Sequence, residues 1–477
     1  MLTACRDLQD GKEKKKEIME KRAATKNRKG MKASPQEILN GPILKTLFRL
    51  AVPTIIAFTF QTAFNFIDRL FISRLGELQF GAIGMSFTVQ SIIIAIAAGV
   101  GAGSSSLISR FIGAKRYKDA NNAAEHSLLI VLVTAAVFTI GGPLLSRPLF
   151  VLLGASDNML PFILKYINVI LFGSFFAFFT MIGNGILRGE GNMVKPMQVM
   201  VIGTLTNIIL DPLLIFGLGP FPRMGIEGAA LATVIARAVS AILLALSLFG
   251  DKNIIKFNLK VFKYNGQFIK GIFKVGGPSM ISQLVQSLGL SLLFILLRPY
   301  GDFVKAAFTM GFTYQQVAFL PILGIAISVL TMTGQNYGAK NYERVRQIFK
   351  QASLAAAAIM LIFTGLFIAG SRTFITIFSD NPEVLRVGKD LLVIFSIGFP
   401  FIALRMVQVN VFQGLGMGFK SLILNLSQML FLTIPLALLM SYFLGLNGIW
   451  IGMVMGNFLT AIAGLIWVGR VTKKLIV

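Results

Sequence analysis

Twelve apolar runs divide the chain, at approximately 44–72, 80–109, 124–151, 160–186, 194–218, 226–249, 268–297, 304–333, 347–370, 384–412, 419–444 and 446–469. A helix crossing a bilayer needs about 20 apolar residues, and more when tilted, so each run is long enough for one crossing. The ten-residue alternating strands of a membrane β-barrel are absent. The pattern predicts an all-α polytopic membrane protein with 12 transmembrane helices. Polar residues collect between the runs and at the start: residues 1–32 hold 11 Lys/Arg and 5 Asp/Glu and no apolar stretch. That segment is too polar for a secretory leader. Residues 1–40 are expected to be a solvated basic tail on the cytoplasmic side, suited to an anionic lipid surface.

Composition sharpens this reading. The chain is 55% hydrophobic and 14% charged, with mean hydropathy +0.75; soluble proteins are about 45–50% apolar and about 25% charged. A soluble enzyme, a disordered chain and a disulfide scaffold are excluded. One imidazole (His126) and one thiol (Cys5) cannot assemble a His/Cys metal centre, and no cofactor is expected. No phosphate-binding G-x-x-x-x-G-K-[ST] loop is present, so ATP does not drive the protein directly. A membrane enzyme would need a water-facing acid/base set, and the loops offer none.

The net charge of +25 does not point to nucleic acid, because the basic residues alternate with apolar spans. They concentrate in loops after spans 2, 6 and 8: Arg110/Lys115/Arg116/Lys118, Lys252/Lys256/Lys260/Lys263/Lys270/Lys274 and Arg344/Arg346/Lys350 with Lys340. The loop at 445–448 has no charge. Basic loops face the cytoplasm, which places both termini inside a plasma (inner) membrane.

The two halves align at a shift of 225. Pro53 meets Pro278, Gly76 meets Gly301, and Met85, Phe87, Thr88 and Gln90 meet Met310, Phe312, Thr313 and Gln315. Gly113-Ala114-Lys115 meets Gly338-Ala339-Lys340, Gly189 meets Gly414 and Lys195 meets Lys420. Apolar segments that resemble each other by chance would not keep one register through Gly, Pro, Gln and Lys. The expected organisation is a six-helix lobe at 41–250, a cytoplasmic linker at 251–270 and a second six-helix lobe at 271–477. Six is even, so the lobes share one topology about an axis along the membrane normal, with a cleft between them suited to alternating access.

A charge deep in hydrocarbon costs at least about 2.5–3.5 kcal/mol and needs a reason. Asp68 and Asp211 are such cases, whereas their repeat partners are Leu293 and Leu436. Thr204, Asn207 and Asp211 recur at i, i+3 and i+7, one helix face, and Pro212 removes an amide donor beside them. A carboxylate, an amide oxygen and a hydroxyl suit Na⁺; two neighbouring carboxylates equally suit a shared proton. Gln283 and Gln286 beside Ser287 form the second lobe's polar patch, either touching substrate or bonding helix to helix. Glu190 and Glu227 read as loop or helix-start charges, Gln90 and Gln315 as scaffold, and His126 as a solvated or capping residue.

These features resemble the multidrug and toxic compound extrusion (MATE) transporters, over about residues 40–470. The resemblance is carried by Pro53 with Asp68, Gly113-Ala114-Lys115, Leu187-Arg188-Gly189-Glu190-Gly191, Asn207-Ile208-Ile209-Leu210-Asp211-Pro212 and Gly228-Ala229-Ala230-Leu231-Ala232-Thr233. Acidic residues only in the first lobe resemble the DinF-like branch. The resemblance implies two bundles around a V-shaped cavity, acting as a monomer. It also implies export of small organic, often cationic, compounds against inward Na⁺ or H⁺. The family's cation site maps onto Asp68, Asn207, Asp211 and Thr233, with Asn184 as a further candidate. Arg69 departs from the family's small hydroxyl residue at that place and either points away from Asp68 or neutralises it. A lipid or lipid-linked oligosaccharide flippase of the same superfamily is the alternative. Such proteins carry more spans and a cationic cavity, whereas here Lys and Arg are largely confined to loops.

Overall fold

Backbone amides in hydrocarbon have only one another as partners, so long apolar runs become helices. The computed structural model describes residues 33–250, 253–258, 262–378 and 380–476, apart from the side chain of Arg69, and no strand occurs among them. Spans 1 to 3 are Ile43–Ser73, Glu77–Gly113 and Tyr117–Leu152. Span 4 is Leu160–Phe172 with Ser174–Gly189, bent by 51°; spans 5 and 6 are Val194–Phe216 and Ile226–Leu248. In the second half, span 7 is Gly266–Tyr300, and span 8 is Asp302–Ala318 with Leu320–Gly338, bent by 48°. Span 9 is Tyr342–Ala369 and span 10 is Pro382–Ile397 with Phe399–Gly414, bent by 44°. The stretch Gly418–Ile476 is two helices that meet at Gly445. Dividing it there gives spans 11 and 12, and twelve in all.

The repeat extends to backbone detail. The bends at Gly173 and Gly398 are 225 apart, and so are Lys115 and Lys340, which hold φ of 58° and 59° where L-residues are strained. Gly225 and Gly445 share φ 57° with ψ of −127° and −137°. The shift has therefore dropped to 220 before the last span of each lobe, and the loop at 217–224 absorbs the difference. The halves also differ. Span 8 breaks at Phe319, before Leu320-Pro321, while span 2 runs unbroken through Ile94 and Ala95. Span 11 carries a π-helical turn at Ser427–Thr433 where span 5 is regular.

The lobes meet through small residues near one end of the bundle, the end bearing the loops after spans 2, 4, 8 and 10. A Cβ on Gly113 would overlap the Gln335 carbonyl oxygen, and one on Gly338 would overlap that of Arg110, a reciprocal pair across the pseudo-axis. Gly99 and Gly103 of span 2 also press on the Gly276 and Ile272 carbonyls of span 7, Gly103 the more closely. Polar bonds seal the same region: Ser106 Oγ donates to the Gln413 carbonyl (2.5 Å), Thr331 Oγ1 to that of Arg188 (2.9 Å) and Gln335 Nε2 to that of Gly189 (3.2 Å).

Two expectations about the termini of the lobes are corrected. Residues 33–40 are not part of a solvated tail. Ser34 accepts from the Glu37 amide and Pro35 begins a short helix, Pro35–Asn40, a Ser-then-Pro start that reads as a cap. Its Ile38 is buried against Gly191 of the first lobe, while Asn336 and Arg344 of the second donate to the Ile38 carbonyl. Residues 1–32, where the basic tail was expected, lie outside the described residues. The linker also ends earlier, at Asn265, whose side chain caps span 7 by accepting from the Gln267 amide.

Candidate cation site

Span 5 places its polar residues inward. Thr204, Asn207 and Asp211 are buried, whereas Ile202, Leu205 and Ile209 on the other face are 43%, 45% and 61% exposed. The i, i+3, i+7 face read from the chain is thus the packed face. Span 1 lies alongside it, held in register by Phe71 edge-on to Phe216, ring centroids 6.2 Å apart. One turn away, the half-buried Asp68 comes within hydrogen-bonding contact of Asp211. Asn207 Nδ2 donates to Asp211 Oδ1 at 2.9 Å. Two carboxylates in contact cannot both keep bare charge, so the arrangement accommodates one shared proton or one hard cation between them.

Three further residues belong to this neighbourhood. Tyr166 of span 4 is buried within electrostatic range of Asp68, Asp211 and Arg237, and its Oη accepts from Gln90 Nε2 at 3.4 Å. Gln90 thus acts within this group as well as matching Gln315 in the repeat. Arg237 sits in the middle of span 6. Its signal was present in the chain as a lone cation inside an apolar run. Tyr166 had no such signal, since one hydroxyl in a run of apolar residues is unremarkable.

The other candidates separate. Thr233 lies near the level of Asp211, as Gly228 packing on Leu214 sets the register, and its Oγ1, which donates to the Ala229 carbonyl (3.0 Å), keeps its lone pairs for a cation. Asn184 is not part of the group. Gly173 packs against Val234, and Gly183, one residue from Asn184, against Leu244 and Leu248 near the far end of span 6. At 1.5 Å per residue, Asn184 is displaced by roughly 16 Å along span 4 from the level of Val234. Its buried Oδ1 has no partner. Gln283 and Gln286 are exposed. The side chain of Arg69 is outside the described residues.

Lys and Arg were expected to be largely confined to loops, and exceptions lie inside the spans. Besides Arg237, Arg405 in span 10 is only 9% exposed; its Nη1 donates to Asn425 Oδ1 at 2.5 Å and its Nε has no partner. Glu227 pairs with Lys165 of span 4 at 3.4 Å. His126 is neither solvated nor a simple cap: it is buried, with Nδ1 against the Asn122 carbonyl and Nε2 accepting from the Asn265 amide. No group of three or more His, Cys, Asp or Glu able to hold a metal occurs among the described residues.

A family model described as MatE matches residues 53–213 and again 278–439, its two starts separated by the repeat shift of 225. The chain belongs to the MATE family. It is a multi-pass membrane transporter and not an enzyme. A protein named FAD transporter from Shewanella oneidensis is 30% identical over 436 residues, covering 89% of this chain and 94% of that one. A protein named probable multidrug resistance protein NorM from Thermotoga maritima is 26% identical over 415 residues, covering 86% and 89%. A solved multidrug resistance MATE family transporter, described as outward-facing, superposes with a TM-score of 0.88 at 32% identity, covering 93% of this chain and 99% of that one.

Proposed function

We propose that this MATE transporter is a secondary active exporter of organic compounds, driven by inward flow of Na⁺ or H⁺ through Asp68 and Asp211. The observation that carries the reading is the contact between these two carboxyls inside the first lobe, where the second lobe has Leu293 and Leu436. The positive-inside rule assigns the basic end to the cytoplasm and both termini with it, in the cell's plasma membrane. The lobes are then sealed on the inner side and the carboxyls lie in the outer half of spans 1 and 5. In this state external Na⁺ or H⁺ neutralises the pair, and Asn207 orients Asp211 to receive it. Neutralisation removes the attraction for a cationic substrate, which leaves outward. Rocking of the lobes then carries the ion inside.

The test reconstitutes the protein in vesicles with a fluorescent cationic dye and imposes Na⁺ and pH gradients separately. Gradient-driven dye movement is expected with one ion, and Asp211→Asn is expected to lower it at least tenfold while thermal unfolding stays at the parental temperature. Dye movement indifferent to both gradients, or undiminished in Asp211→Asn, overturns the reading.

A second reading concerns substrate charge. Arg405 is buried in span 10, where it donates to neutral Asn425 and makes no ion pair among the described residues, and the relative from Shewanella oneidensis is named an FAD transporter. Together these favour an anionic organic substrate. Counterflow with FAD against the cationic dye separates the two: the substrate that drives exchange is the one carried.

A further inference from the structure

Between spans 9, 10 and 12, close to the basic end, the second lobe has a groove of about 420 Å³. It has no part in the cation site, which belongs to the first lobe. Arg346 and Lys350 form its mouth, one helical turn apart on one face of span 9. Among the described residues Arg346 pairs with the exposed Glu343, at 4.0 Å, and Lys350 makes no ion pair. One turn further in, Ser353 is 6% exposed and its hydroxyl has no hydrogen-bond partner. Beyond Ser353 the walls are apolar, made by Leu354, Leu404 and Leu465. Leu354 is 71% exposed, and the exposed track continues along span 9 through Leu361 and Ile362 at 60% and 73%.

The depth of these residues matches the layers of a lipid leaflet. Span 9 has 28 residues, while the hydrocarbon core needs about 20. The first two turns of the span, with Arg346, therefore stand at the headgroup layer, and Lys350, at the edge of the core, extends its ammonium back to the same layer. Ser353 follows at the level of the glycerol esters, and Leu354 onward lies among the acyl chains. An exposed cationic mouth, a small buried polar residue and an apolar channel occur in the same order as phosphate, glycerol and acyl chain.

We propose that this groove is a binding site for an anionic phospholipid. Its phosphate oxygens accept from Arg346 and Lys350, its glycerol region passes over Ser353, and one acyl chain lies along Leu354, Leu404 and Leu465. Basic pockets between transmembrane helices recognise anionic headgroups in this way. A zwitterionic headgroup brings its own ammonium to the same place and loses most of the attraction. The site stands whether or not the transport reading holds.

Native mass spectrometry of the purified protein tests it, with phosphatidylglycerol, phosphatidylcholine and inorganic phosphate offered in separate arms. Phosphatidylglycerol is expected to be retained at least fivefold over phosphatidylcholine, and inorganic phosphate alone not at all, because it lacks the chain that fills the channel. Arg346→Gln with Lys350→Gln is expected to abolish the preference, and Ala357→Phe, which fills the apolar part and leaves the charges, to lower retention of both lipids. Lys389→Gln, exposed in span 10 away from the groove, is expected to leave the preference intact. Equal retention of the two lipids, or a preference that survives both the charge and the filling variants, overturns the proposal. So does inorganic phosphate binding as tightly as the lipid.

Discussion

At the scale of single residues, the chain announced what it charges in hydrocarbon and concealed what it merely polarises. Asp211 was legible because a carboxylate among apolar residues stands out, and the spacing to Thr204 and Asn207 fixed which face it shares. Tyr166 was not legible, because its part depends on a partner span that periodicity cannot name. Asn184 was misplaced because a resemblance supplies residue types and not depth. A different residue-scale property is conformational: Lys115 and Lys340 turn the chain after spans 2 and 8 with positive φ. A left-handed L-residue costs roughly 1–2 kcal/mol, and glycine none of the steric part. At position 115, thermal unfolding in detergent is expected to rank Gly above Lys and Lys above Val, with a spread of about 1–2 kcal/mol.

Among elements, the spans themselves were readable to within a few residues, since a bilayer permits only one way to bury a long apolar backbone. The breaks were not. The bends at Gly173 and Gly398 fall inside runs whose composition does not change, so hydropathy passes over them. The glycines at the lobe contact carried a hint, since Gly113 and Gly338 sit at matched places in the repeat, but why they must lack a side chain appears only when each meets the other lobe's carbonyl. Gly338→Val is expected to separate spans 2 and 8. Overpacking typically costs about 1–3 kcal/mol, and with Cys5→Ser to remove the native thiol, a thiol probe directed at Ser109→Cys, a position buried beside Gly334, is expected to label faster when Gly338→Val is added. Unchanged labelling would mean the contact yields without opening.

For the whole molecule, the repeat gave two lobes and an axis but not the state in which they sit. That state depends on bonds between residues hundreds of positions apart, such as Ser106 with the Gln413 carbonyl. If rocking requires this end to part, tying it shut must stop the cycle. With Cys5→Ser to remove the native thiol, the pair Ser109→Cys and Gly334→Cys, whose Cβ positions adjoin across the same seam, is expected to cross-link. Transport is expected to fall at least tenfold on oxidation and to return on reduction. Transport that persists in the cross-linked protein would rule out opening at this end.

The segment joining the lobes has a mechanical consequence. Its amides at Ile255, Lys256 and Asn258 are held by Glu190, Asn121 and Glu125, and the amide of Asn265 by His126, all from the first lobe. At these four described positions the tether is fastened to one partner, up to the residue that caps span 7, and when the lobes part these positions travel with the first.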